Sequence, residues 1–245
     1  MSEFNNKNVC LKLNKISKVF RTEKLETHAL RSVDLTIYHG DFISISGPSG
    51  CGKSSLLAIM GLLDTATSGS YHIQSKDVSK LGVDARAEIR NRSIGFIFQS
   101  FNLIDELSVY ENVALPLRYR EADESGKELT DTEIDQAVQS ALQQVDMAHR
   151  VEHKPNQLSG GQQQRIAIAR ALVGSPDILL VDEPTGNLDS KNGDIVMALL
   201  KDLNQAGTTI CMVTHDARYA EFANIQLHLL DGEIVAEHLL SEANI

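Results

Sequence analysis

The sequence predicts an α/β fold, with a parallel sheet at its core, a small antiparallel β layer at the N-terminus and an inserted helical lobe. Three observations carry this. Ile178-Leu179-Leu180-Val181 is apolar without polar alternation, as a strand buried on both faces is. Phe42-Ile43-Ser44-Ile45 is a second apolar run that leads straight into a glycine-rich segment, Gly47-Pro48-Ser49-Gly50-Cys51-Gly52-Lys53-Ser54. Between such runs the apolar spacing switches from strand-like to helix-like and back.

Leu11 and Leu13, then Val33, Leu35 and Ile37, alternate with polar residues and predict half-buried N-terminal strands. Leu56, Leu57, Ile59, Met60 and Leu63 predict a helix after the glycine-rich segment, and residues 94–98 a strand ending at Gln99. Ile134, Val138, Leu142 and Val145 recur at helical spacing. Residues 121–131 are polar and acidic and read as a solvated loop, the least ordered part of the chain. This sets a single domain over residues 1–245, with its core at about 1–99 and 158–245 and the helical lobe at about 100–157. Ile195, Val196, Leu199, Leu200 and Leu203 predict an amphipathic helix, and residues 209–213 a further strand. Asp231-Gly232 between residues 225–230 and 233–236 predicts a hairpin.

The chain has 245 residues, 42% of them hydrophobic, enough for a sizeable core. Its net charge of -10 repels nucleic acid and sets DNA and RNA aside as main ligands. Cys10, Cys51 and Cys211 are too few and too irregularly spaced for a disulfide framework or a zinc site, and they suit a reducing compartment such as the cytosol. Residues 1–9 lack the apolar core of a signal peptide, and no apolar run approaches the ~18 residues of a membrane span. A chain soluble by itself is expected, with any membrane role coming through a partner.

The glycine-rich segment matches the pattern G-x-x-x-x-G-K-S/T without a gap. Glycines let successive N–H groups turn inward on phosphate oxygens, and the helix that follows points its positive end at the same charge. Lys53 then reaches the β- and γ-phosphates of ATP, Ser54 offers a hydroxyl to Mg²⁺, and Ser55 belongs to the same contact set. Cys51 enters through its backbone N–H. Asp182 and Glu183 follow a buried strand, and the carboxyl ends of parallel strands are where open α/β sheets bind ligands. Asp182 is the expected Mg²⁺ holder, and Glu183 the base that polarises the attacking water. Taken alone, the pair reads equally well as surface acids ending a strand.

Downstream of the loop, Leu158-Ser159-Gly160-Gly161-Gln162 resembles the signature motif of ABC-transporter ATPases. Gln99 resembles their Q-loop glutamine, Gly186-Asn187-Leu188-Asp189 their D-loop, and His215 their switch histidine, all in the family's order. The resemblance covers nearly the whole chain. Read on residues alone, Ser159 with Gln162 is a capping box that opens a helix, Gly160 and Gly161 leave backbone N–H groups open to an anion, and His215 reads as a structural histidine. The resemblance implies more. Ser159, Gly160, Gly161 and Gln162 would contact the γ-phosphate held by a second copy, with Asp189 nearby. His215 would hydrogen-bond the γ-phosphate, and Gln99 would join the Mg²⁺ shell and link the site to the helical lobe. Phe20 stands where the family often has an aromatic, in many members Tyr, that stacks on adenine; a core Phe is the other reading.

Phe98-Gln99-Ser100-Phe101-Asn102-Leu103-Ile104, Glu111-Asn112-Val113-Ala114-Leu115-Pro116-Leu117 and Pro184-Thr185-Gly186-Asn187-Leu188-Asp189 look like the MacB and LolD branch. That branch implies a partner permease of the FtsX or MacB type, with the ATPase on the cytoplasmic face of the inner membrane. Residues 121–131 form a longer acidic stretch than that pattern has. A soluble ABC-type ATPase of DNA repair or the ribosome is the alternative. It would usually bring a long coiled coil or a second phosphate loop, and the sequence has neither. A regulatory module that does not turn over is at odds with Glu183 and His215. A small-metabolite kinase would leave the Ser159 segment unexplained.

Overall fold

The structure is a computed structural model that describes residues 8–21, 26–122 and 126–235. The chain divides into two compact units, Met1–Gly82 with Asn204–Ile245 and Val83–Leu203.

In the first unit, β1 (Val9–Arg21) and β2 (Glu26–Tyr38) pair antiparallel, with Leu11 opposite Ile37 and Leu13 opposite Leu35. Leu11, Leu13, Val33, Leu35 and Ile37 are all buried, while Lys12 and Asp34 between them are exposed, the period of two that the sequence shows. After β3 (Phe42–Ser46) and α1 (Lys53–Met60), the strands β4 (Ser68–Ile73) and β5 (Lys76–Asp77) complete this sheet in the order β2-β1-β4-β5. Neither is visible in the apolar pattern, because β4 buries only Tyr71 and Ile73 and β5 buries nothing. The Tyr71 hydroxyl donates to the Met60 carbonyl at 2.5 Å, tying β4 to the end of α1.

The same unit carries parallel strands. β3 lies between β8 (Thr209–Val213) and β9 (Ile225–Leu230), parallel to both. β10 (Glu233–Val235) closes antiparallel on β9 across Asp231 and Gly232, whose φ angles of 48° and 83° suit the tight hairpin their identities predict. Residue 236 of that predicted strand lies outside the described residues. β3 and β8 are buried almost throughout. Leu63, predicted to lie in the helix after the glycine-rich segment, falls beyond α1, which ends at Met60, and is 48% exposed. No cysteine is in a disulfide, and burial pushes the Cys211 thiol up to about 12.

In the second unit, β6 (Ile94–Ile97), one residue shorter than predicted, pairs parallel with β7 (Ile178–Asp182). β6 is preceded by α2 (Val83–Ser93), a helix with no buried residue and hence no apolar stripe to read. α3 (Val109–Arg118) and α4 (Asp131–Gln144) each open on a capping box, Ser108 with Glu111 and Thr130 with Glu133. α4 buries Ile134, Val138 and Leu142, as their spacing predicts. Of the acidic stretch read as a loop, residues 123–125 lie outside the described residues, and its last residue, Asp131, opens α4. Two 3₁₀ turns, Ala148–Arg150 and Pro155–Gln157, lead to α5 (Gly160–Leu172), which packs on α3 and α4. α6 (Ser190–Gln205) follows β7. Among the described residues no helix is long and apolar enough to cross a membrane.

Candidate functional site

In the first unit the glycine-rich segment joins β3 to α1. A Cβ at Gly47 would run into the Leu229 carbonyl and the Cys51 sulfur, so the backbone of β9 reserves this position for glycine. Gly52, at φ 107°, is the residue before α1, and a Cβ there would strike the Ala29 carbonyl. The hairpin turn props the segment from behind. Gly232 N–H donates to the Cys51 carbonyl at 3.0 Å, and Arg31 N–H donates to the Gly232 carbonyl at 2.8 Å. At its start, the Ser46 hydroxyl pairs with His228 Nδ1 at 2.6 Å. The hairpin itself is readable from Asp231-Gly232; that it braces the loop is not, since the two are far apart in sequence.

Lys53 folds back over this loop and donates to the carbonyls of Gly47 and Pro48, both at 2.8 Å. Its ammonium therefore rests inside the loop, where it faces acceptors that an incoming phosphate would replace. Ser54 is exposed and Ser55 half-buried on the first turn of α1. That turn has no acidic residue to offset the helix's positive end. Pro48, Ser49 and Gly50 are exposed at the tip. His215 follows β8, the parallel neighbour of the strand that delivers the loop, and is exposed. Before it, Thr214 is buried and its N–H donates to the Ile45 carbonyl at 3.2 Å. Phe20, on β1, is 45% exposed, so it is no core residue; the Lys18 ammonium stands 4.9 Å over its ring.

In the second unit Asp182 ends β7, and Glu183 follows at φ 46°, a left-handed geometry that a non-glycine residue adopts at a cost. The turn closes with Gly186 N–H donating to the Glu183 carbonyl at 3.1 Å. The next residue reaches the Gln99 loop, as Asn187 Nδ2 donates to the Gln99 carbonyl at 3.0 Å. Gly186 itself lies against the Gln99 side chain, and a Cβ there would approach its amide nitrogen to 2.7 Å. Past Gln99, Phe101 and Asn102 both have positive φ, 45° and 51°. Their carbonyls accept from the Arg170 guanidinium of α5, at 2.7 Å and 2.5 Å. Burial of Arg170 lowers its pKa.

Ser159 caps α5. Its hydroxyl accepts from Gln162 N–H at 3.4 Å, and Gln162 Oε1 accepts from Ser159 N–H at 2.9 Å, the predicted box. The Gln162 side chain is thus committed to the cap, and the first turn is free of acids. Gly160 faces Leu188 and Phe101, and Gly161 faces Asn192. Asp189 accepts from Asn192 N–H at 2.9 Å and from its Nδ2 at 2.7 Å, which holds the Asp189 carboxyl below the usual carboxylate range.

The first unit thus gathers residues 47–55, His215 and Phe20. The second gathers Gln99, Asp182, Glu183, Asp189 and residues 159–162. Arg170, His228 and Lys18 are not among the site residues read from the sequence. For Arg170 a signal exists: a charge inside the buried run Ile166-Ala167-Ile168-Ala169 and Ala171 must find partners.

The family model described as ABC transporter matches residues 30–186. The ABC transporter ATP-binding protein MJ1508 of Methanocaldococcus jannaschii is 46% identical over 218 residues, 89% of this chain and 94% of that one. The macrolide export ATP-binding/permease protein MacB of Campylobacter jejuni is 46% identical over 212 residues, 86% of this chain but only 32% of MacB. Among solved structures, a dimeric post-hydrolysis state of the ATP-binding cassette MJ0796 bound to ADP and Pi superposes with a TM-score of 0.82 at 42% identity, covering 92% of this chain and 97% of that one. With the family model and these relatives spanning most of its length, the chain belongs to the ABC transporter family, as one of its ATPase cassettes.

Proposed function

We propose that two copies of this chain pair head to tail, hydrolyse ATP between them and thereby drive a membrane permease of the FtsX or MacB type. The observation that carries the pairing is that the chain presents two helix N-termini fitted for an anion. α1 opens behind Gly52 with Lys53 inside the loop, and α5 opens on Ser159 with Gly160 and Gly161; neither has an acid in its first turn. One bound nucleotide has a single γ-phosphate, so two such ends are explained if each serves a different copy's nucleotide. The dimeric state of the MJ0796 structure with ADP and Pi supports this reading.

Within it, residues 47–55 cradle the phosphates and Phe20 stacks on adenine. Glu183 polarises the attacking water, and His215 and Gln99 steady it against the γ-phosphate. Ser159, Gly160, Gly161, Gln162 and Asp189 complete the site of the partner copy. Among the described residues no group of three His, Cys, Asp or Glu is placed to hold a metal unaided. The oxygen donors Ser54, Asp182 and Gln99 suit Mg²⁺, which typically arrives on the nucleotide's phosphates and keeps part of its water shell. Mg²⁺ would neutralise charge on the transferring phosphoryl group.

The MacB relatives, which are ATP-binding/permease proteins, support a permease partner. A cassette without a membrane helix among its described residues would then work on the cytoplasmic face of the membrane, through that partner and without nucleic acid. The test is Glu183→Gln. It binds ATP, loses at least about 99% of turnover and runs as a dimer with ATP on size exclusion. Turnover equal to the unmodified chain overturns the assignment of the base. Co-purification of a permease from membranes supports the transport reading, and a ribosome or DNA partner in its place overturns it.

A further inference from the structure

The contact between Lys18 and Phe20 has no part in the phosphate chemistry. The Lys18 ammonium stands 4.9 Å over the Phe20 ring. It does not drift there on a free side chain, because it donates to Asp64 Oδ1 at 2.7 Å and to the Thr65 carbonyl at 2.8 Å. The Lys18 side chain is only 12% exposed. Asp64 belongs to the turn that ends α1, where the N–H groups of Leu63 and Asp64 donate to the Ala58 carbonyl at 2.9 Å and 3.1 Å. The other end of α1 is Lys53. One helix therefore carries the phosphate loop at its start and, at its end, the anchor of the cation beside Phe20.

We propose that Lys18 is a positioning residue for the base of the nucleotide, holding the Phe20 ring for stacking. The inference rests on the reading of Phe20 as the adenine platform. An exposed phenyl ring with a cation on one face has only the other face to offer. The fixed cation restrains the ring's rotation, so less freedom is lost when a base settles on it. It also draws electron density toward its own side, leaving the free face less repulsive to the π-cloud of a purine.

The test compares affinity for ATP with affinity for inorganic triphosphate, which has the phosphates and no base, in Lys18→Met, Lys18→Arg, Asp64→Asn and Phe20→Leu. Lys18→Met keeps the stem and removes the charge. It weakens ATP about 3- to 10-fold, leaves triphosphate within about twofold, and raises KM without lowering kcat. Lys18→Arg restores most of the loss. Asp64→Asn, which loosens the anchor and keeps the cation, shows a smaller loss of the same kind. Phe20→Leu weakens ATP about tenfold or more and spares triphosphate. If Phe20→Leu leaves ATP affinity unchanged, the platform reading itself fails. If Phe20→Leu weakens ATP while Lys18→Met does not, or if Lys18→Met weakens ATP and triphosphate alike, the role given to Lys18 is overturned.

Discussion

Asn187 holds Gln99 by its backbone, with its side-chain amide donating to the Gln99 carbonyl at 3.0 Å. Gly186, one residue earlier, leaves room for the Gln99 side chain. The turn that begins at Glu183 therefore also sets the loop that carries the glutamine. Asn187→Asp replaces a donor by an acceptor facing a carbonyl. It lowers kcat about tenfold with nucleotide affinity kept, and Asn187→Ala lowers it less. Steady-state ATPase rates alongside an ATP titration check both.

Arg170 holds the same loop from the other side. Arg170→Met leaves the carbonyls of Phe101 and Asn102 without their charged donor at two positive-φ positions. The expected loss is about 2–3 kcal/mol of stability. Denaturant melts measure it, with Arg170→Lys recovering only part because a shorter side chain with one ammonium lacks the planar fork whose two terminal nitrogens each meet one carbonyl.

The cap of α4 gives a pH signature. The Lys127 ammonium, with the N–H and hydroxyl of Thr130, holds Glu133 down from 4.5 to about 2. A depressed carboxyl contributes stability that is fully present above its unfolded value, near 4.5, and is lost as pH falls through the folded value, about 2. Glu133→Gln therefore loses this contribution in full near neutrality, flattens the fall in stability over that window and converges with the unmodified chain at its acid end. Denaturant melts stepped from pH 5 to pH 2 read the difference.

The loop predicts two separable losses. Lys53→Ala removes the cation that donates to the Gly47 and Pro48 carbonyls and raises the Kd for ATP at least about tenfold with the fold intact. Gly47→Ala instead drives a methyl group into the Leu229 carbonyl and destabilises the loop itself. Nucleotide titration and thermal melting of each variant tell the two apart, since only the second lowers the melting temperature.

What could be read from the sequence follows from where the information lies. The phosphate loop, the Ser159 cap and the Asp231-Gly232 hairpin are local patterns whose residue types dictate backbone geometry, and all three stand where they are predicted. α4 is legible because Ile134, Val138 and Leu142 form its buried stripe. α2 and β5 are not, because each buries nothing and so leaves no period in the sequence. The contacts of Asn187, Arg170, Lys18 and Gly232 join residues from 46 to 201 positions apart. Their side-chain identities are compatible with many partners, and only the fold selects one.

In the proposed head-to-tail pair each copy completes the other's site. Mixing two inactive variants, Lys53→Ala and Ser159→Arg, tests this most directly. In a head-to-tail pair made of one of each, one site keeps both Lys53 and Ser159 while the other loses both. Equal amounts, allowed to reassort, should recover about a quarter of the unmodified ATPase rate, since half the pairs are mixed and each has one intact site of two. A mixture no more active than either variant alone would contradict this pairing.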